Sequence, residues 1–110
     1  MPNVQSIFFI HDEDKILDCT DSGIDAFGIS VKTVIYFRFK TLYGLKRGDV
    51  VRKPELFSEC LRDFFGEKSV NVEASIVASV LHSFHLADVR LSDSATKTII
   101  SARKQMQSSQ

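Results

Sequence analysis

The chain of 110 residues lacks any apolar run close to the roughly 18 residues that a membrane-spanning helix needs. Residues 1–10 also lack a charged leader and a cleavage site. These absences predict a cytoplasmic protein with no membrane partner. Cysteine is scarce: Cys19 and Cys60 lie among apolar neighbours at helical spacing and are expected to be reduced core residues. There is no glycine-rich phosphate loop, no nucleophile elbow, no CxxC and no HExxH. His82 and His85 stand three apart, but His11 is the one further histidine, too few ligands for a zinc or iron site. The expectation is a protein that is not an enzyme, with no catalytic residue, no cofactor and no metal.

Net charge is also missing, yet the charges are segregated. Residues 11–27 carry Asp12, Glu13, Asp14, Asp18, Asp21 and Asp25 against Lys15 alone, a net of −5. Residues 32–53 carry Lys32, Arg38, Lys40, Lys46, Arg47, Arg52 and Lys53 against Asp49 alone, a net of +6. Either the acidic segment lies across the basic one, or the basic segment faces a partner. In the second case Arg38, Lys40, Lys46, Arg47, Arg52 and Lys53 are the candidate anion or partner contacts.

What is present is helical patterning. In residues 53–66, Pro54 suits the first helical position, Glu55 suits the positive end of the dipole, and Gly66 suits the stop. Phe57, Cys60, Leu61 and Phe64 fall on one face, with Ser58, Glu59, Arg62 and Asp63 opposite. An earlier helix starts near Asp14, with Leu17, Thr20, Ile24 and Phe27 on one face, Ile16 beside them and Gly28 at its end. Gly23 inside it costs roughly 1 kcal/mol. Ahead of it, residues 1–13 form an apolar N-terminal arm, strand or extended, whose Val4, Ile7, Phe8, Phe9 and Ile10 must pack on the domain or on a second copy.

Residues 29–45 admit two readings. As a strand, Val31, Thr33, Ile35, Phe37 and Phe39 alternate with Lys32, Val34, Tyr36, Arg38 and Lys40. As a helix, Val31, Val34, Ile35, Phe39 and Leu42 share a face, Ser30 caps the start and Gly44 ends it. Length favours the helix, since the run exceeds a typical strand; the strand over Val31 to Phe39, giving an α+β fold, is the alternative. Arg38 then stands in the apolar face, either with its stem along the core and its guanidinium reaching out or meeting an acid of the first helix, or as an anion contact. A further helix runs from Val70 to about Leu86 behind Ser69, with Val70, Ala74, Val77, Leu81 and Phe84 as its stripe, widened by Ile76 and Val80. A last helix, capped by Asp93, presents Ala95, Ile99, Ala102 and Met106 to the core and Lys97, Arg103 and Lys104 to water.

Tyr43-Gly44-Leu45, then Lys53-Pro54-Glu55-Leu56-Phe57, Leu61 and Phe64-Phe65-Gly66, resemble the small archaeal domain family named as a Nitrososphaera output domain, the fifth of that series. The resemblance continues through Ile76, Leu81 and Phe84 and covers residues 14–86; Lys68 departs from it, standing where the family has glycine. It implies a helical fold and an output or adaptor role in signalling, without catalytic residues.

The expected architecture is therefore a single all-α domain: a compact bundle of four to five helices, with the apolar arm over 1–13, the helical core over 14–86, and a C-terminal helix with a polar tail over 87–110. The expected function is a non-catalytic regulatory or protein-interaction domain, a homodimer with a protein partner. The rival is a nucleic-acid-binding transcriptional regulator using the same six cations, although a neutral domain lacks the basic excess typical of such proteins.

Overall fold

The computed structural model describes residues 4–108, with side chains from 13 to 107. It is all-α: α1 Val4–Asp25, α2 Ile29–Tyr43, the single-turn α3 Asp49–Arg52, α4 Pro54–Phe65, a 3-10 turn Gly66–Lys68, α5 Ser69–Ser83 and α6 Ala95–Ser108. No strand occurs among the described residues, so Val31 to Phe39 is helix and the α+β alternative falls.

The first element differs from expectation. Residues 4–13 are not a separate arm but the opening turns of a 22-residue helix. No proline interrupts residues 4–25 and the lone glycine, Gly23, lies near the end, so the backbone propagates without a break. The acids at 12–14 therefore lie within the helix rather than at its positive end. The packing expected for Val4, Ile7, Phe8, Phe9 and Ile10 concerns side chains outside the described residues, as does residues 1–3.

Gly28 serves both helices: its N–H bonds the carbonyl of Asp25, the last residue of α1, at 3.1 Å, and it precedes α2 with φ 126°, where no side chain, Ser30 included, caps the start. Gly44 ends α2 in the left-handed region, φ 67° and ψ 24°, its N–H bonded to the Lys40 carbonyl. Gly66 takes φ 61° after α4, where its N–H bonds to the Arg62 carbonyl and the chain enters the 3-10 turn that leads into α5.

Inside the bundle α1 lies against α5 at very close range. A Cβ built on Gly23 would sit 2.6 Å from the Ile76 Cα, and the Ser75 hydroxyl donates to the Gly23 carbonyl at 2.8 Å. Glycine here is the condition of helix contact, so its propensity cost is offset by packing. On the other side of the core, α2 meets α4 through rings: Phe39 is edge-on to Phe57 at 5.3 Å, and Tyr36 stacks on Phe57 at 5.9 Å. Cys19 and Cys60 are buried free thiols, as expected, and burial pushes the Cys60 thiol up.

Two stripes are rotated from their expected positions. In α2 the buried pair is Ile35 and Phe39, with Val31, Tyr36 and Tyr43 half-buried, while Val34 and Leu42 point outward. In α5 the buried set is Ser69, Val72, Ile76, Val77 and Val80, while Val70 and Ala74 are exposed. Both helices are apolar on more than one side, so the buried side is chosen by where the neighbouring helices lie. In α4, Phe57, Cys60 and Leu61 are buried as expected, Phe64 is half-buried, and Ser58 is buried rather than solvated.

Ser58 belongs to a polar junction of three helices. Its hydroxyl lies 2.8 Å from that of Thr96 and 3.3 Å from Glu73 Oε1, and the same carboxylate oxygen accepts the Ala95 N–H at 3.2 Å. A carboxylate therefore sits at the start of α6, where the dipole favours it. The side-chain cap of α6 is Ser94, whose Oγ accepts the Lys97 N–H at 3.1 Å; Asp93 instead closes the preceding turn through the Arg90 N–H and pairs with Lys97 at 3.1 Å. Those two donors hold the Asp93 carboxyl below its usual range.

Candidate functional site

The six candidate cations fall into two groups once folded. Arg47, in the loop after α2, turns back onto α1: Nε and Nη2 both donate to Asp21 Oδ2, at 3.0 and 2.8 Å, and Nη2 reaches Asp18 Oδ1 at 3.1 Å. The Tyr36 hydroxyl donates to the other oxygen of Asp21. One carboxylate of α1 thus ties down both α2 and the loop that follows it. Burial, and then the bond to Asp21, hold the Tyr36 phenol far above the ordinary range. Burial works against the Arg47 charge, but the bonds to Asp21 outweigh it and raise its pKa. Arg52 is also engaged, with Asp49 at 3.4 Å and Glu13 at 3.9 Å, and Lys32 meets Asp25 at 3.4 Å. The acidic segment does lie across the basic one at these points.

Arg38, Lys40, Lys46 and Lys53 are exposed. Arg38 makes its contact with an aromatic ring, its guanidinium lying 5.2 Å from the centroid of Phe64. The expected stem along the core is not found, because Arg38 is exposed and the face it shares is the outward one. On that face Val34 is 39%, Phe37 65% and Leu42 61% exposed. Val34 adjoins Phe37 and Arg38, three and four residues on, and Arg38 in turn adjoins Leu42, so the cation lies among the exposed apolar side chains of α2. Thr41 completes it, its hydroxyl turned back to the Phe37 carbonyl at 3.0 Å. Across its full length α2 carries Lys32, Arg38 and Lys40 and no acid. The result is a row of exposed apolar side chains with Arg38 among them and Lys40 nearby, carried on a helix fixed from behind by Tyr36, Ile35 and Phe39.

Sequence reasoning found the cations and missed the stripe. It placed Val34 and Leu42 in the core and did not single out Phe37 as exposed. The signal was available in part: a helix with apolar residues at 29, 31, 34, 35, 36, 37, 39, 42 and 43 has more of them than one buried face can accept.

The remaining chemistry is sparse. Among the described residues no group of three or more His, Cys, Asp and Glu is placed to hold a metal ion. His82 lies in α5 but His85 lies beyond its last residue, Ser83, so the pair does not share a helical face; both are exposed. A cleft of about 410 Å³ between α1 and α5 is lined by Lys15, Asp18, Cys19, Ser22, Ser79, His82 and Ser83. No helix among the described residues is long and apolar enough to cross a membrane. Comparison with family models, curated proteins and solved structures finds no match for the chain.

Proposed function

We propose that the protein is a non-catalytic interaction module that docks an acidic, apolar helix of a partner protein on the outward face of α2. The observation that carries this reading is the exposure of Val34, Phe37 and Leu42 on a helix braced from behind by buried Ile35 and Phe39. Large apolar groups in a row are costly to leave in water and are the usual anchors of helix-to-helix recognition. Charge selects the occupant. Arg38 and Lys40 border the stripe without a neighbouring acid on α2, so a partner carrying carboxylates beside its apolar anchors is attracted and a basic one is repelled. A second copy pairing α2 with α2 would bring two acid-free cationic helices together, so the dimer expected from residues 4–10 is the weaker occupant of this face. The output or adaptor role implied by the family resemblance suits such a module.

The nucleic-acid reading loses support, because Arg47 and Arg52, two of its six phosphate contacts, are occupied by carboxylates of the same chain. The test is calorimetric titration with a synthetic amphipathic helix bearing leucines at i, i+3, i+4 and i+7 and glutamates on its flanks. Binding to the native chain and its loss in Phe37→Asp support the proposal. Equal binding by Phe37→Asp, or binding of duplex DNA at low salt in place of the peptide, overturns it. Sedimentation of both proteins at tens of micromolar identifies self-association, and a native dimer dispersed by Phe37→Asp would make the second copy the occupant.

A further inference from the structure

Along α5 the exposed positions are Val70, Asn71, Ala74, Ala78 and His82, with Leu81 half-exposed at their edge. None of them is Lys, Arg, Asp or Glu. Val70 is 69% exposed, and Leu91, in the loop before α6, is 67% exposed. Both line an open cleft of about 450 Å³, with Ala74 completing its apolar side. We propose that a second copy of the chain docks here, α5 against α5 in antiparallel order, with Leu81 of each copy entering the cleft of the other.

Charge selects a second copy as the occupant. Two acids line the cleft, Glu73 and Asp93, and both are engaged within the chain. Glu73 Oε1 accepts the Ser58 hydroxyl at 3.3 Å and the Ala95 N–H at 3.2 Å. Asp93 accepts the Arg90 N–H at 2.8 Å and pairs with Lys97 at 3.1 Å. An uncharged face meets its own copy without repulsion, whereas α2, with three cations and no acid, does not.

The order of side chains along α5 fits this pairing. Val70, Ala74 and Ala78 stand four apart and adjoin in a row, and Leu81, eleven residues beyond Val70, lies about three turns on at the same edge. The row therefore runs large, small, small, large. A two-fold rotation that sets Ala74 against the partner's Ala78 also sets Val70 against the partner's Leu81, so one operation fills both clefts. Methyl side chains at the centre let the helices approach closely, and antiparallel order sets their dipoles in opposition. Parallel order would put Val70 against Val70 and leave Leu81 three turns from either cleft. The contact spans a helix of 15 residues, about 22 Å, which places it among small, transient interfaces.

Sedimentation equilibrium of the full chain from about 10 μM to 1 mM is expected to show a monomer–dimer equilibrium. Ala74 and Ala78 are exposed, so charges placed there spare the core, and unchanged thermal midpoints verify folding. A74E/A78E sets Glu against Glu across the two-fold and should weaken association at least about tenfold. A74K/A78E sets Lys against Glu and should return it to within a few-fold of native. Isotope-filtered NOEs between Val70 of one copy and Leu81 of the other, in a mixed labelled sample, read the register without any substitution. The proposal is overturned if the native chain is monomeric throughout the range, if A74E/A78E associates as the native chain does, if A74K/A78E is as weak as A74E/A78E, or if those NOEs are absent from the dimer. Phe37→Asp should leave this dimer intact while removing the acidic helix from α2, so the docking reading and the α5 pairing fail independently.

Discussion

Asp21 is the residue through which α1 holds both α2 and the following loop, and its removal separates two contributions. Tyr36→Phe deletes one hydrogen bond in a half-buried place and should lower stability by about 1 kcal/mol in denaturant unfolding. Asp21→Ala also strands Arg47, and should cost about 1.5 to 2 kcal/mol, held to that range because the Arg47 side chain is 39% exposed and water takes over part of its solvation. The two tyrosines give a pH signature as well. The hydrogen bond to Asp63 pushes Tyr43 up to about 12, and Tyr36 lies well above the ordinary range. Both folded values exceed the unfolded one, so their contribution is complete below about pH 10 and is lost as pH rises through the folded values. With no tryptophan in the chain, tyrosinate absorbance reads this directly: little signal at about pH 10 when folded, and about half ionisation in denaturant. Gly23 shows the limit of reading residues singly. Its propensity cost is visible in the sequence, but the Ile76 backbone that forbids a Cβ is 53 positions away in the chain and announces nothing locally. Gly23→Ala should therefore destabilise by about 1 to 3 kcal/mol despite alanine's better helix propensity, measured as a shift in the denaturant midpoint.

At the scale of elements, existence was more legible than orientation. Pro54, Glu55 and Gly66 bracket α4 as the sequence suggests, and Gly44 ends α2 in the left-handed turn its type allows. The face of α4 follows from its pattern because polar and apolar residues are well separated. In α2 and α5 they are not, and the wrong side was assigned to the core at Val34, Leu42, Val70 and Ala74. A nearly all-apolar helix has no internal mark of which side its neighbours will cover. The two phenylalanines of α4 calibrate this. Phe57 is fully buried, and Phe57→Ala should cost about 3 to 5 kcal/mol. Phe64 is half-buried beneath Arg38 and beside Phe65, and its alanine variant should cost less than half as much. Equal losses at the two positions would contradict the placement of the α4 core face. The junction of Ser58, Glu73 and Thr96 was beyond sequence reasoning for a further reason: three unremarkable polar residues from three helices become a network only after packing brings them together.

For the whole molecule, the segregation of charge resolves in part into internal pairing, Arg47 toward α1 and Arg52 toward α1 and α3, while the outward face of α2 carries apolar area beside Arg38 and Lys40 with no acid on that helix. The separation of acidic and basic segments was legible in the chain order; which cations would be matched was not, because that depends on the loop after α2 folding back over α1. An interaction surface of this kind is stable when empty and is not needed by the core. Phe37→Ser should accordingly change stability by less than about 0.5 kcal/mol while removing partner affinity. The most direct measurement of the central claim is chemical-shift mapping of the full chain against the acidic amphipathic helix. The account predicts perturbations that centre on Val34, Phe37, Arg38, Thr41 and Leu42 and leave α6 unchanged. Perturbations centred on another element, or none at saturating peptide, would contradict it.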